Sequence, residues 1–501
     1  MAKTAFKGRN AELSLLDKLW QKPDAALLIL YGRRRVGKTR LLTHWREQHS
    51  DQALYWVAEP MSARDQLRSF SQALHRFAYP DSPVSMEIYY EDWEQALWHV
   101  AERARDRRLA LFIDEFTYLL EVEPAVVGML QKAWDHWLSD SNLILALSGS
   151  QMALMRKHVL SYEAPLYGRA TSQFELRPLP YSITREFFPQ YSPQDRVALY
   201  AIFGGIPAYW ERVDSSVSVM ENISELLLTP NTLLQEEPRL LLQDFISDQS
   251  NYVGIMQAIA RGERSNIGIS NRTGLPKGHV SKYLSVLRNT RFVERRVPVT
   301  ETVKSRRGRY FVTDPYLRFY YHFLSAHQAQ LVIGAQQQAL NKIEQTLPLF
   351  IENNTWQELC HEWLLHASAK GTVPLAVEEV GSSWMRNYTF DVVGINWPEK
   401  TLVLGACSWQ TKPIDSSTIR NLVAKTSTIV PKDGTWSVYF LGFAQSGWAD
   451  DAHEFADELT RAGVVGENWR SVGIRLLDLE SVDADLAQWS TAAGYDQSRL
   501  N

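Results

Sequence analysis

Residues 31–40 read YGRRRVGKTR and follow the apolar run Leu27–Leu30. That order predicts a hydrophobic strand, a loop bounded by Gly32 and Gly37, and a helix starting near Lys38. The spacing Gly32-x-x-x-x-Gly37-Lys38-Thr39 is the Walker A pattern. Its glycines let successive backbone N–H groups turn inward on a phosphate chain, and the helix N-terminus adds a dipole that favours anions. Lys38 is the expected contact to the β- and γ-phosphates of ATP or ADP, and the Thr39 hydroxyl is the expected Mg²⁺ ligand. Arg33, Arg34, Arg35 and Val36 fill the loop, and Arg40 follows it. Because the backbone binds the phosphates, the three loop arginines are expected to point outward or to pair with acids elsewhere.

A phosphate loop needs an acid beside it. RRLALFIDEFTYLL (107–120) supplies a hydrophobic strand, Leu109 to Ile113, that ends in Asp114-Glu115. Asp114 fits the Walker B acid that holds Mg²⁺ through water, and Glu115 is placed to polarise the attacking water. A third strand, NLILALSGSQ (142–151), ends at Ser150, the candidate sensor of the γ-phosphate, with Gln151 as the alternative. EAPLYGRATSQFEL (163–176) places Arg169 before another strand. That arginine is either a stabiliser of transition-state charge, in cis or across a subunit boundary, or an ordinary salt-bridged residue.

Composition sets the frame. The 501 residues suit about three domains. No run of about 18 apolar residues predicts a membrane span, and the N-terminus lacks the apolar core of a signal peptide. The two cysteines, Cys360 and Cys407, offer neither a disulfide framework nor zinc spacing. A soluble, cytoplasmic protein is expected. Net charge is only −4, yet residues 257–312 carry thirteen Lys/Arg against three acids. One basic module inside an acidic chain is expected.

Two further motifs flank the core: FKGRNAEL (6–13), with Phe6, Gly8 and Arg9, and FGGIPAYW (203–210), with Pro207. In this order the motifs resemble the archaeal-type predicted ATPases, relatives of the AAA+ and STAND ATPases. The resemblance implies an α/β fold: a P-loop core of the additional-strand class, a helical lid, a winged helix-turn-helix and a C-terminal domain. It implies that Phe6, Gly8 and Arg9 lie against the adenine and that Pro207 begins the lid and touches the nucleotide. The expected segments are 1–180 for the core, 181–245 for the lid, 246–330 for the winged helix and 331–501 for the C-terminal domain.

The basic module reads as three helices, YVGIMQAIARG, NIGISNRTGL and GHVSKYLSVLRNT, followed by two strands around a wing. Val280, Tyr283, Leu284 and Leu287 recur at helical spacing and are expected in the core. Lys277, His279, Ser281, Lys282 and Arg288 then face solvent, and the wing adds Lys304, Arg306, Arg307 and Arg309. Such a face suits double-stranded DNA, with major-groove docking and phosphate contacts. The alternative is a lid or protein-docking module.

Beyond it, NTWQELCHEWLLHASA and the strands LAVEEVGSSW, YTFDVVGINW and KTLVLGACSWQTK resemble the restriction-endonuclease-like fold. The resemblance makes Glu358 the helix acid and Asp391 the strand acid, but Ala406 and Ser408 stand where an acid and a lysine belong. Lys412 is a candidate substitute for that lysine. A degenerate nuclease fold serving binding or assembly is expected, with the C-terminal tryptophans as core anchors. The whole reads as a DNA-linked ATPase. Rivals are a slow nucleotide switch acting through a protein partner bound by the C-terminal domain, and an ATPase-coupled nuclease. A homo-oligomer is compatible with an Arg169 acting in trans.

Overall fold

The computed structural model describes residues 5–81, 89–243, 249–325, 334–385 and 388–492. The expected boundaries near 245 and 330, and the tail after 492, lie outside the described residues. Two compact units emerge. The first comprises 1–179 with 205–211, and the second 180–204 with 212–501. The expected lid, winged-helix and C-terminal segments thus fall almost wholly in the second unit.

The first unit is built on five strands: β1 (Ala26–Tyr31), β2 (Ala53–Val57), β3 (Leu109–Asp114), β4 (Leu143–Gly149) and β5 (Ser172–Glu175). Their order is β2-β3-β4-β1-β5, and every pairing is parallel. β3 and β4 are buried along their whole length, as strands of a parallel sheet covered on both faces must be. That is why they read as unbroken apolar runs. Helices Ala63–Ala78 and Trp93–Arg105 start at side-chain caps, where Ser62 accepts from the Asp65 N–H and Asp92 from the Gln95 N–H. Phe70, Leu74, Leu97 and Val100 from these helices join Leu54, Leu111 and Leu145 in one core. β4 lies between β1 and β3, which is the additional-strand arrangement.

In the second unit, helices Ser250–Ala260, Asn266–Thr273 and Lys277–Asn289 precede an antiparallel pair, β6 (Val293–Arg296) and β7 (Arg309–Val312). Val280, Leu284 and Leu287 are buried. Tyr283 is only half-buried, its hydroxyl accepting from Asn251 Nδ2 at 3.0 Å. This is a winged helix-turn-helix.

The C-terminal segment holds a mixed sheet of β8 (Glu379–Trp384), β9 (Thr389–Asn396), β10 (Thr401–Ser408), β11 (Trp436–Ala444) and β12 (Trp469–Asp478), in order β12-β11-β10-β9-β8. β8 to β10 pair antiparallel and β10 to β12 parallel. Eight of its nine tryptophans are buried, whereas Trp397 is 42% exposed. Several of their indole N–H groups find acceptors, as in Trp363 to Asp485 at 2.9 Å and Trp448 to the Leu477 carbonyl at 3.1 Å, whereas the buried Trp356 N–H meets none among the described residues.

Two ionic joints tie this unit together. Asp483, 1% exposed, accepts from the Tyr181 hydroxyl at 2.7 Å and from Arg196 Nη2 at 2.6 Å, and it also pairs with Arg185. It pins the C-terminal helix Leu479–Ala492 to the helix Pro193–Phe203. Glu358 takes both Nη groups of buried Arg318, at 2.7 and 2.9 Å, and Arg296 Nη2 at 3.0 Å. Although partial burial opposes its charge, Arg318 and Arg296 hold its carboxyl down at about 2. A carboxyl depressed in the fold stabilises above its ordinary pKa and loses that contribution as pH falls through the folded value. Removing one partner of a buried pair strands the other. Asp483→Ala is therefore expected to destabilise this unit by about 3–5 kcal/mol in urea unfolding; an unchanged midpoint would show that the joint carries no stability. Glu358→Gln is expected to destabilise at neutral pH, with the difference from the parent chain vanishing as pH falls from about 4.5 towards 2.

Candidate functional site

The phosphate loop leaves β1 at Tyr31 and enters the helix Lys38–Glu47. Gly32 has φ 156°, and a Cβ there would sit 2.5 Å from the Leu176 carbonyl oxygen. Gly37, at φ 102°, caps the helix in a conformation that side chains avoid. Arg9 braces the loop from outside. Its buried guanidinium donates to the carbonyls of Val36 at 2.9 Å and Arg177 at 2.7 Å, and to Glu12 at 2.9 Å. Burial lowers its pKa even so. Phe6 stacks on His44 of the following helix, centroids 4.1 Å apart.

Lys38 is 4% exposed, and its ammonium turns back on the loop, donating to the carbonyls of Gly32 at 2.9 Å and Arg33 at 3.1 Å. Burial pulls its pKa down, while Glu115 and Asp114 push it up. The Thr39 hydroxyl donates to Asp114 Oδ2 at 2.5 Å. Loop and acid strand therefore meet, 75 residues apart in sequence. Ser150, at the end of β4, donates to Glu115 Oε2 at 2.6 Å. Gln151 is instead bonded to Glu121, Nε2 to Oε1, at 2.7 Å. Of the two sensor candidates, Ser150 is thus the one in contact with Glu115.

Glu115 adopts φ 49°, and its N–H donates to Asp114 Oδ1 at 2.9 Å. Among the described residues, six non-glycine positions have positive φ, and Arg9, Arg35 and Glu115 are three of them. Such conformations cost energy, and functional sites concentrate them.

One contributor lacked a motif, and one comes from within the 203–210 motif. Tyr55 on β2 donates to Asp114 Oδ2 at 2.7 Å, and burial with the Asp114 charge raises its pKa. Tyr209 accepts from Arg33 Nη2 at 2.7 Å. Arg33, expected to face outward or to meet an acid, thus donates to a phenol. The helix Pro207–Trp210 that carries Tyr209 begins after Gly205, where a Cβ would lie 1.7 Å from the Leu179 oxygen. Pro207 Cγ would be 3.9 Å from a Cβ built on Gly37. Arg40 lies 3.8 Å from Glu211. Arg169 is engaged by Asp135 through Nε and Nη2, each at 2.7 Å, and donates to the Pro165 carbonyl.

On the basic module, Lys277, His279, Ser281, Lys282 and Arg288 are exposed. Ser281 accepts from Asn266 Nδ2 at 2.9 Å. Lys304 and Arg306 are exposed on the wing. Arg307 and Arg309 are engaged elsewhere in the unit. Arg307 Nη1 donates to the Trp384 carbonyl at 3.2 Å and pairs with Glu301, and Arg309 lies 4.7 Å over the Trp384 ring. The wing also bonds β8 through Val299 N–H to the Ser382 carbonyl at 3.1 Å, and Trp384 Nε1 donates to the Arg307 carbonyl at 2.8 Å. β8 is the edge of its sheet, and the wing covers part of that edge.

In the C-terminal sheet, Asp391 Oδ2 accepts from the Cys407 N–H at 3.1 Å, and Oδ1 from Gln357 Nε2 at 3.3 Å. Glu358, on the same helix as Gln357, is held by the arginines instead. No group of three or more His, Cys, Asp or Glu suited to a metal occurs among the described residues. Burial, with Glu352 nearby, lifts the Asp391 carboxyl to about 6. A carboxyl raised in the fold favours folding below its ordinary pKa, and that contribution is lost as pH rises through about 6. Asp391→Asn is therefore expected to gain on the parent chain as pH rises from about 4 to 8, by up to about 3 kcal/mol in chemical unfolding. A pH-independent difference would contradict the buried charge.

Comparison with known proteins accords with this geometry. Residues 6–213 match the family described as an ATPase domain predominantly from Archaea. Residues 250–295 match the arsR family of bacterial regulatory proteins, and residues 320–421 match archaeal and bacterial proteins of unknown function. An uncharacterized protein of Methanocaldococcus jannaschii is 26% identical over 407 residues, 81% of this chain and 88% of its own length. An uncharacterized ATP-binding protein of the same organism is 50% identical over 42 residues, 8% of this chain and 71% of its own. Among solved structures, a Walker-type ATPase of Pyrococcus abyssi aligns with TM-score 0.47 at 18% identity, covering 63% of this chain and 96% of that one. The ORC2 protein of Aeropyrum pernix aligns with TM-score 0.40 at 12% identity, covering 68% and 96%. No helix among the described residues is long and apolar enough to cross a membrane. Along the chain, then, a match to the archaeal-type ATPase domain is followed by a match to the arsR family and one to the family of unknown function.

Proposed function

We propose that this chain is an ATP-binding, Mg²⁺-dependent ATPase of AAA+/STAND type whose winged helix binds double-stranded DNA. One observation carries the reading: Thr39 touches Asp114, and Ser150 touches Glu115, at the adjoining ends of β1, β3 and β4. Lys38, now folded on loop carbonyls, exchanges them for the phosphate oxygens. Glu115 accepts the proton of the attacking water at its carboxylate, and Ser150 fixes the direction of that carboxylate. The hydroxyl of Thr39 and the carboxylate of Asp114 are hard oxygen donors, and two such groups with phosphate oxygens and water are the usual Mg²⁺ environment. Thr39 and Asp114 would hold the ion, which would supply charge neutralisation on the phosphates. Phe6, Gly8 and Arg9 flank the base, and Pro207 reaches the loop. The tight ion pair of Arg169 with Asp135 favours a structural role over a finger.

Exposed Lys277, Lys282 and Arg288 supply the DNA phosphate contacts, with Lys304 and Arg306 beside them. A second reading, a slow nucleotide switch acting on a protein partner, is favoured by the wing's hold on β8, since a latched wing is something a switch could release. Cleavage by the C-terminal domain is disfavoured, because Glu358 is committed to Arg318 and Arg296.

Lys38→Ala is expected to abolish ATP binding in equilibrium dialysis. Glu115→Gln is expected to keep ATP bound while turnover falls by about 100-fold or more; wild-type turnover in that variant would remove Glu115 from the role of base. Lys277→Glu with Lys282→Glu is expected to weaken duplex DNA binding and flatten its salt dependence by about two phosphate contacts. An unchanged salt slope would point to the protein-switch reading.

A further inference from the structure

A cavity of 960 Å³ opens in the second unit between the winged helix and the helix Gln336–Ile351. Its volume lies near the top of the about 300–1,000 Å³ range of small-molecule sites. Five cationic side chains line it, Arg261, Arg264, Arg309, Arg318 and Lys342, against a single acid, Glu263. This module was read from sequence for DNA, yet none of these five except Arg309 belongs to the solvent face of the recognition helix or to the wing.

The charge arrangement is unusual for a fold that needs only stability. Arg296, Arg309 and Arg318 each act electrostatically on Arg264, while Glu358 pairs with Arg318 and Arg296, and Glu294 pairs with Arg296. Arg264 and Arg296 lie on the Phe311 ring, at 4.3 and 4.5 Å from its centroid. Burial and the three other arginines push the Arg264 guanidinium down to about 10. Arg318 is 3% exposed, both its Nη groups go to Glu358, and its buried Nε has no hydrogen-bond partner among the described residues. Setting four like charges side by side costs energy that two carboxylates, Glu358 and Glu294, offset only in part. An anion in the cavity would offset the remainder.

We propose that this cavity binds a phosphate-bearing ligand. Guanidinium forks pair bidentately with phosphate as they do with carboxylate, and a phosphate group brings more negative charge to this excess of cations. Arg264 and Arg309 face the phosphate, Lys342 and Arg261 close over it from the rim, and Arg318 with Glu358 forms the fixed floor. The phosphate belongs either to a free nucleotide or to the end of a nucleic-acid strand. The proposal is independent of the ATPase reading, because it uses no residue of the phosphate loop.

The test uses the full-length Lys38→Ala chain in Mg²⁺-free buffer, so that the phosphate loop contributes little. Calorimetric titrations with pyrophosphate, AMP, and a short single-stranded oligonucleotide with and without a 5′-phosphate would be compared. The expected result is binding of at least one phosphate probe, weakened about tenfold or more by Arg264→Gln. The rim pair Arg261→Glu, half-buried, with Lys342→Glu, exposed, is expected to weaken it similarly while leaving the melting temperature unchanged, which separates lost binding from lost folding. Preference for AMP identifies a free nucleotide, and binding of the oligonucleotide only with its 5′-phosphate identifies a strand end; both support the site. Absence of binding by every probe, or equal binding in the cavity variants, would overturn it.

Discussion

The first unit depends on one topological constraint: β4 is inserted between β1 and β3. Parallel pairing in register then carries the three C-terminal ends to one edge, Tyr31 opposite Gly149 and Ile113 opposite Leu147. Everything chemical at that edge follows. The loop after β1 can reach the acid after β3, and Ser150 can reach Glu115. The strained backbone of Glu115 and the Arg9 brace hold these groups where free side chains would wander. Crevices outside the carboxyl ends of strands are where open α/β sheets bind ligands.

In the second unit, ion pairs join segments that lie far apart in sequence. Asp483 joins the C-terminal helix to the segment after residue 180, and Glu358 joins the C-terminal helices to the winged helix through Arg318 and Arg296. Such pairs add little net stability against apolar substitutes, but they fix one arrangement strongly, because breaking either partner is costly. The wing's grip on β8 has the same character. It turns two arginines that look like DNA contacts into part of an internal interface.

Much of the fold is legible in the sequence because buried parallel strands leave unbroken apolar runs. Leu109–Asp114 and Leu143–Gly149 are such runs, and the glycine spacing of residues 32–37 marks the loop between strand and helix. Tyr55 was not legible. It is one residue in ALYWV, with no spacing to tie it to Asp114, 59 residues away. The ionic joints were hidden for the same reason: Tyr181 and Asp483 are 302 residues apart, and no periodicity links them. β11 went unread although WSVYFLGFA is largely apolar, whereas in β12 Arg470, Ser471 and Arg475 interrupt the apolar pattern. A count of charges on the wing does not say that Arg309 lies over a tryptophan ring or that Arg307 pairs with Glu301.

The central claim is that the ends of β1, β3 and β4 form a working triphosphate site. The most direct measurement is steady-state ATP hydrolysis by the intact chain with Mg²⁺ and with EDTA, alongside bound nucleotide measured on the same samples. The account predicts nucleotide retained in both conditions and turnover with Mg²⁺ alone. Turnover that persists undiminished in EDTA, or no bound nucleotide in either condition, would contradict it.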